Sequence, residues 1–531
     1  AHFDDFSLCA VNNAATDCPQ RTVLKPKASW SATATSSFSG LPASNTIDGS
    51  VFDAPNATTK AWASATTAPV GESLTFDYGS TLDLVGFVYY PRIEFHQDIS
   101  HYTIQYSNDG TIFTTIQNGS LSPQRSFEDI VPPHPVIRVG APIEVNFVTP
   151  VSARYMRFIV RGTHYDGTYA AIAELLPIIC GTTPATDISC FNANLLNTGT
   201  NATGNGVGGR SRFDPNWEVA YAHDLDARGN NALPSLSAIS NLTFMPGIIM
   251  EPVTSIWGAS PFGNAQWISY TASSRDVYGT VNVPTQPNSY FYRYRLNITD
   301  PYILPAFKLK LDFMTDNILK NIYINGHGLA PQFGLPGGGL TLDLRTVTNM
   351  NSFWKLGQNE IIVQVYSQPP LAGFLGQNTI ICPGLDFGDA PASYNVSRAS
   401  IAAGHIVEID NYNQVTLKLG ALIDAEEDGT ASVATSDNTN GLDDEDGLGA
   451  IPKIPAGDNP TITNFTLNLT LSNITGGNAN LCGWIDWNKN GVFDDGERAC
   501  TTVANNATTG QLVWPSAVFN GPEGGSTYAR F

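Results

Sequence analysis

The sequence predicts an all-β protein built as a succession of sandwich layers. Phe307, Leu309, Leu311 and Phe313 alternate with Lys308, Lys310 and Asp312, and Phe465, Leu467, Leu469 and Leu471 alternate with polar residues in the same way. A period of two places every second side chain on one face of a strand. Short segments such as LTFDYG, HYTIQYS, RYMRFIV and EIIVQVYS are bounded by Gly, Asn, Asp and Pro, which turn the chain. Long stretches with helical spacing are missing from the sequence. Repeated short strands with polar turns describe sandwiches.

A chain of 531 residues holds three or four domains at about 150 residues each. The formal charge of −20, from 47 acidic and 27 basic residues, argues against nucleic acid and anionic membranes as partners. No apolar run approaches the ~18 residues of a membrane helix, so a transmembrane segment is not expected. The start at Ala1 without a signal peptide is expected of a mature or trimmed product.

Seven cysteines divide the chain in order. Cys18 and Cys180 bracket one stretch, Cys190 and Cys382 a second, and Cys482 and Cys500 a third. Three disulfides are expected, which places the protein outside the cell or on its surface. Neither paired CxxC nor a Cys/His set is present, so zinc is not expected. Ten N-x-S/T triplets, among them Asn56, Asn118, Asn241 and Asn297, are about what so Asn-, Ser- and Thr-rich a chain produces by chance.

Between the last two cysteines the chain reads D-W-N-K-N-G-V-F-D-D-G-E. Asp486, Asn488, Asn490 and Asp494 stand at the spacing of a twelve-residue calcium loop, with Val492 offering a carbonyl and Glu497 closing the shell. Gly491 allows the sharp turn. The flanks LCGWI and RACTTV are strand-like, so a strand–loop–strand setting is expected in place of the two helices of an EF-hand. Calcium here would support structure and do no chemistry; the competing reading is a polar hairpin tip. Two further acidic runs, D-A-E-E-D-G with Asp424, Glu426 and Asp428, and G-L-D-D-E-D-G with Asp443, Asp444 and Asp446, are additional calcium candidates. Adjacent carboxylates repel unless they are solvated or bridged by a cation.

Residues 18–180 carry ASNTIDG, Trp62, HYTIQYSNDGTIF, ARYMRFIV and AIAEL in that order. This stretch resembles the discoidin, or factor V/VIII type C, domain. The resemblance implies a jelly roll whose loops at one end bind sugars, lipids or proteins, often with a calcium ion near the first long loop. Carried over by position, Asp48, Asp53 and Glu174 are the acidic ligands; the alternative is that Asp48 caps a turn and Glu174 faces solvent. For ligand contact the candidates are Arg92, Glu94 and His96 in YYPRIEFHQD and His164 and Tyr165 in RGTHYDGTY. Such loops combine aromatic faces with charged groups that satisfy sugar hydroxyls.

After a linker at 181–189, residues 190–382 resemble a second, galactose-binding-like jelly roll, through SYFYRYRLNI, FKLKLDFMTDNILKNIYINGHGL and KLGQNEIIVQVYS. Asn325-Gly326 predicts a hairpin turn. Trp217, Trp257 and Trp267 are expected in the core. Residues 383–531 resemble the GEVED domain of bacterial surface proteins, through D-F-G-D-A-P with Tyr394, LGALIDAEEDG, GLDDEDG and GWIDWNKNGVFDDGE. The resemblance implies a bacterial exoprotein and an incomplete C-terminal domain. The fold class expected for the whole is therefore tandem jelly-roll sandwiches followed by a calcium-binding, sandwich-like domain.

Residues 1–17 resemble the closing strand of a preceding jelly roll, with Cys9 as the odd cysteine. The chain is accordingly expected to be a window on a larger polypeptide; a variant has the terminal strand docking on a neighbouring copy to build a filament, and the plain reading is a frayed tail.

Catalytic signatures are missing. GxSxG, HExxH and P-loop sequences do not occur, and the eight histidines form no local set. Gly204–Gly209 fits GxGxxG but neither follows a strand pattern nor opens a helical one, which removes the basis for dinucleotide binding. The expected function is a non-enzymatic extracellular adhesin that binds glycans or cell-surface polymers, with calcium as its only cofactor. The alternative is a structural subunit of a filament or sheath, in which other copies of the chain are the partners.

Overall fold

The computed structural model describes residues 18, 21–51, 60–92, 97–122, 126–127, 137–138, 141–164, 168–181, 185–188, 196–201, 206–207, 212–222, 236–250, 259–271, 288–299, 304, 307–329, 343–347, 353–367, 371–381, 384–388, 390–396, 404–407, 415–423, 445–449, 453, 460–519 and 526–531. The structure is almost entirely β and divides into two units, one of Ala1–Thr299 with Lys308–Ile380 and one of Asp300–Phe307 with Ile381–Phe531.

The first unit holds two large sheets. One runs Arg21–Val23, Glu174–Cys180, Ser73–Tyr90, Ile143–Thr163, Ile99–Ser107 and Thr114–Ser120, with Ser31–Ala34 also paired to Ser73–Tyr90. All of these pairings are antiparallel. Register shifts between Asp77 and Leu82 bend the long Ser73–Tyr90 strand, as bulges do. Its first half alternates, burying Leu74, Phe76 and Tyr78. Its second half, Leu84–Tyr90 apart from Gly86, is apolar and buried throughout. Continuous burial requires cover on both faces, and one cover is Phe213 of the next sheet, whose ring lies 5.3 Å from that of Tyr90. The Cys18–Cys180 disulfide joins the ends of this stretch.

The second sheet runs His327–Gly328, Ile318–Ile324, Gly357–Ser367, Asn288–Ile298, Phe213–Ala222, Met245–Ile249, Ile268–Ser269, Gly373–Ile381, Lys308–Asp316 and Asp343–Val347. Thr186–Ile188 adds a parallel pairing to Asn288–Ile298. The alternation at Phe307, Leu309, Leu311 and Phe313 is borne out: all four are buried. Trp217 and Trp267 are core residues, as expected, while Trp257 lies outside the described residues. Asn325 and Gly326 both have positive φ, 49° and 83°, between the antiparallel strands Ile318–Ile324 and His327–Gly328. That is the turn Asn-Gly favours.

The two sheets of this unit are bolted together by polar contacts. The Lys25 ammonium donates to the carbonyls of Asp214 and Pro215, both at 2.6 Å, and the Phe213 amide donates to the Gly49 carbonyl at 3.0 Å. Burial holds the Lys25 amine below its ordinary pKa.

In the second unit, Leu417–Leu419, Thr461–Asn473 and Thr509–Val518 form one sheet, and Arg498–Val503, Ala479–Ile485 and Ala529–Arg530 another. Leu467, Leu469, Leu471, Leu481, Trp487, Leu512 and Trp514 share one core. Phe465 is only partly buried, because Asn464, with φ of 52°, interrupts the alternation just before it. No helix among the described residues is long and apolar enough to cross a membrane.

Candidate functional site

The strand Ala479–Ile485 delivers Asp486 to the start of a loop, and Arg498–Val503 leaves from its end. The strand–loop–strand setting is as the flanks predicted. Cys482 and Cys500 face one another across these strands and are disulfide-bonded. Within the loop the odd positions fold back on the main chain. Asp486 Oδ1 accepts from the Asn490 amide at 3.2 Å and Oδ2 from Gly491 at 3.0 Å. Asn488 Oδ1 accepts from Asn490 at 2.9 Å, and Asn490 Oδ1 from Val492 at 2.9 Å. Glu497 Oε1 accepts from Trp487 at 2.9 Å and Oε2 from Asp494 at 3.1 Å, completing a capping box with Asp494. Gly491 has φ of 80°, and a Cβ there would stand 3.0 Å from Ser393 Oγ, so both conformation and space demand glycine.

The carboxylates and amides of this loop converge. Asp494 Oδ2 accepts from Asn488 Nδ2 at 3.1 Å and from Asn490 Nδ2 at 2.8 Å. Asp486 and Glu497 are buried; burial lifts the Glu497 carboxyl, and the Asp486 charge adds to the shift. Buried carboxylates without a basic partner want a cation, and an all-oxygen donor set suits a hard divalent ion, calcium above magnesium given the number of ligands. The two Asn amides supply to Asp494 the positive partner that such an ion would supply. Among the described residues no three His, Cys, Asp or Glu side chains form a metal-holding group, so the Asn oxygens and the Val492 carbonyl are needed to complete a shell.

One residue of this site had no assigned role in the sequence. Tyr394 donates its hydroxyl to Asp486 Oδ2 at 2.6 Å, and its ring packs 4.7 Å from Phe493 and 5.3 Å from Tyr528. Burial, then the Asp486 charge, raises its phenol pKa. The only sequence signal was its place behind D-F-G-D-A-P.

The other calcium candidates divide. Asp424, Glu426, Asp428, Asp443 and Asp444 lie outside the described residues. Asp446 is exposed and accepts from the Ala421 amide through both oxygens, at 3.0 and 3.1 Å, which closes a turn.

A second acidic pair sits in the first unit. The 3-10 turn Ala43–Ile47 ends at Asp48, whose Oδ1 accepts from the Ser50 amide at 2.9 Å and whose Oδ2 pairs with Lys60 at 3.2 Å. Glu174 does not face solvent: it is fully buried, and its Oε1 accepts from the Gly49 and Ser50 amides. Its Oε2 is buried beside the Asp48 carboxyl, with no backbone partner among the described residues. Burial, and then the Asp48 charge, pushes the Glu174 carboxyl well above its ordinary range, and burial raises Asp48 despite Lys60. A buried oxygen beside a second carboxyl fits a cation. Asp53, the third expected ligand, lies outside the described residues.

Of the ligand-contact candidates, Glu94, His96 and Tyr165 also lie outside them, as do Cys9, Cys190, Cys382 and residues 1–17. Arg92 donates to Gln97 Oε1 at 3.2 Å. His164 is held on both sides: its amide donates to the Asp98 carbonyl at 2.8 Å, and its ring Nε2 lies 2.8 Å from the Leu121 carbonyl. Since a carbonyl only accepts, Nε2 donates in this contact. Arg92 follows the strand Ser73–Tyr90, whereas His164 follows Ile143–Thr163 and lies beside Asp98.

The fold is a succession of antiparallel β-sheet modules. Residues 31–175 match the model of the F5/8 type C domain, and residues 480–531 that of the GEVED domain. The chain therefore carries a discoidin-type domain and, at its C-terminal side, a GEVED domain. Among solved structures it is similar to a family 32 carbohydrate-binding module from Clostridium perfringens NanJ in complex with galactose. That likeness has 22% identity over 30% of this chain and 99% of the other, with a TM-score of 0.24. A Clostridium perfringens CBM32 domain in complex with GalNAc-β-1,3-galactose has 22% identity over 29% and 99%, with a TM-score of 0.23. The F5/8 type C domain of a Bacteroides fragilis protein has 13% identity over 30% and 98%, with a TM-score of 0.24. No curated protein matches the chain.

Proposed function

We propose that this chain is a non-catalytic, extracellular glycan-binding protein of the adhesin type, with the discoidin-type domain as its binding module and calcium as a structural ion in the C-terminal loop. The observation that supports it most is the F5/8 type C match over 31–175, a span that includes both Arg92 and His164. Loops on a rigid scaffold are where binding concentrates, and guanidinium and imidazole groups suit sugar hydroxyls. The Cys18–Cys180 and Cys482–Cys500 disulfides support an oxidising, extracellular setting. Calcium at the Asp486–Glu497 loop is supported by its all-oxygen donors, and the boundaries 18–180, 190–382 and 383–531 are proposed as the domains.

A glycan array probed with the full chain tests this reading. Binding to specific sugars is expected, and Arg92→Ala with His164→Ala should weaken it by at least about tenfold, the effect of losing roughly 1.4 kcal/mol of contact. Silence across all sugars would favour the filament-subunit alternative.

A further inference from the structure

The geometry points to a second carbohydrate site, in the cleft between the two sheets of the first unit, built to hold a neutral oligosaccharide segment. The cleft has a volume of about 600 Å³, inside the roughly 300–1,000 Å³ range of ligand pockets. It shares no residue with the loop pair Arg92 and His164, and it does not rest on that reading.

Its floor combines a charge pair with aromatic rings. Arg21 comes from the first strand of the discoidin-type sheet and bridges Glu144 at 2.8 Å. Its guanidinium also donates to Asn146 Oδ1 and reaches Thr243 Oγ1 at 3.5 Å, in the connection before the strand Met245–Ile249. Arg21 Nε is itself buried, with no hydrogen-bond partner among the described residues, so the terminal guanidinium nitrogens are the part of Arg21 that meets the cleft's other polar groups. The facing wall is Tyr221 and Tyr270, with ring centroids 5.9 Å apart, backed by Tyr290 at 5.4 and 6.0 Å. The Glu144 carboxylate is near enough to add to the rise that burial gives the Tyr270 phenol. Charge, donors and rings therefore border one space.

This chemistry selects its ligand. A pyranose has an apolar C–H face that lies on an aromatic ring and a rim of hydroxyls that both donate and accept. Glu144 can accept from such hydroxyls, while the terminal guanidinium of Arg21 and the Asn146 amide can donate to them. The Arg21–Glu144 pair is internally neutralised, so an anionic sugar would gain little from Arg21 and would be repelled by Glu144. Joining two domains is also where ligand pockets commonly form.

The test uses the full chain, produced without N-glycosylation because Asn241 at the rim stands in an N-x-T triplet. Arg92→Ala and His164→Ala are included to remove the loop site. Titration calorimetry with galactan, cellulose and mannan tetrasaccharides, and with tetragalacturonate as the anionic control, is expected to show saturable binding of at least one neutral probe. Ser122→Trp and Asn241→Trp, exposed rim positions on opposite walls, should each weaken that binding about tenfold or more. In the protein without rim variants, the same sugar should slow amide exchange at 142–146 and 241–245. The proposal is overturned if no neutral probe saturates, if tetragalacturonate binds as well as the neutral sugars, if both rim variants retain full affinity, or if exchange in both segments is unchanged.

Discussion

Asp486→Ala is expected to abolish calcium-dependent stabilisation of the C-terminal unit and to lower that unit's stability even without calcium. The carboxylate is fully buried and accepts from the Tyr394 hydroxyl and from the Asn490 and Gly491 amides. Hydrogen bonds to a charged group contribute about 1.5–3 kcal/mol, and a buried donor left unpaired costs about 1–3 kcal/mol more. A loss of at least about 3 kcal/mol is the conservative sum for three donors. Calcium at a hundredfold excess over its Kd would add about 2.7 kcal/mol to the wild-type chain by mass action, and nothing to the variant. Thermal melts of the metal-stripped chain, with and without added calcium, separate the two effects. A wild-type melt that calcium does not move refutes the ion. A variant as stable as wild type in chelator refutes the clasp between Tyr394 and Asp486. Tyr394→Phe keeps the ring packing and should remove only the hydroxyl's share.

The features legible in the sequence are those set by neighbours along the chain. The period-two pattern at Phe307–Phe313 reports burial of alternate side chains within one strand, and positive φ at Asn325-Gly326 is a local property of those residues. The loop from Asp486 to Glu497 is likewise local, because each odd side chain turns back onto an amide two to five residues on. What could not be read is whatever two distant segments make together. Glu174 was placed by resemblance, but its burial comes from strand pairing with Tyr90 and from the Gly49 and Ser50 amides, some 125 residues away. Lys25 finds the Asp214 carbonyl 189 residues on, and Arg21 meets Thr243 across 222. Nothing in spacing marks such pairs, because a sandwich juxtaposes residues by topology. His164, singled out from its loop, also makes a contact that spacing does not show: its ring Nε2 lies against the Leu121 carbonyl, 43 residues away.

Arg293→Met should destabilise the first unit by about 3–5 kcal/mol at neutral pH, the usual effect of leaving one partner of a buried ion pair alone. Arg293 is 7% exposed on the tyrosine-rich strand Asn288–Ile298. Its guanidinium holds Glu218 Oε2 through Nε at 2.8 Å and a terminal nitrogen at 2.7 Å, and lies 3.7 Å from the Phe244 ring centroid. Methionine keeps much of the stem's packing, so the loss reports on charge. Burial by itself would raise the Glu218 carboxyl, but the Arg293 and Arg295 guanidiniums and Lys25 hold it below its ordinary value. The sign of the pH dependence follows. In wild type the contribution of Glu218 is present above the unfolded carboxylate pKa, about 4.3, and is lost as pH falls through the lower folded value. In the variant Arg295 and Lys25 remain, but with the Arg293 charge gone burial moves the folded pKa of Glu218 upward, and protonation relieves part of the burial. The deficit relative to wild type should therefore be largest near pH 7 and shrink as pH falls through the raised folded pKa of Glu218, and urea denaturation across that range measures it. Arg293→Met combined with Glu218→Leu should recover part of the loss, since it removes the uncompensated carboxylate while Arg295 keeps Glu360 as a partner. A single-variant deficit below about 1 kcal/mol, the range of exposed pairs, or one that does not change with pH, would show that the pair is not the buried, mutually dependent couple its geometry describes.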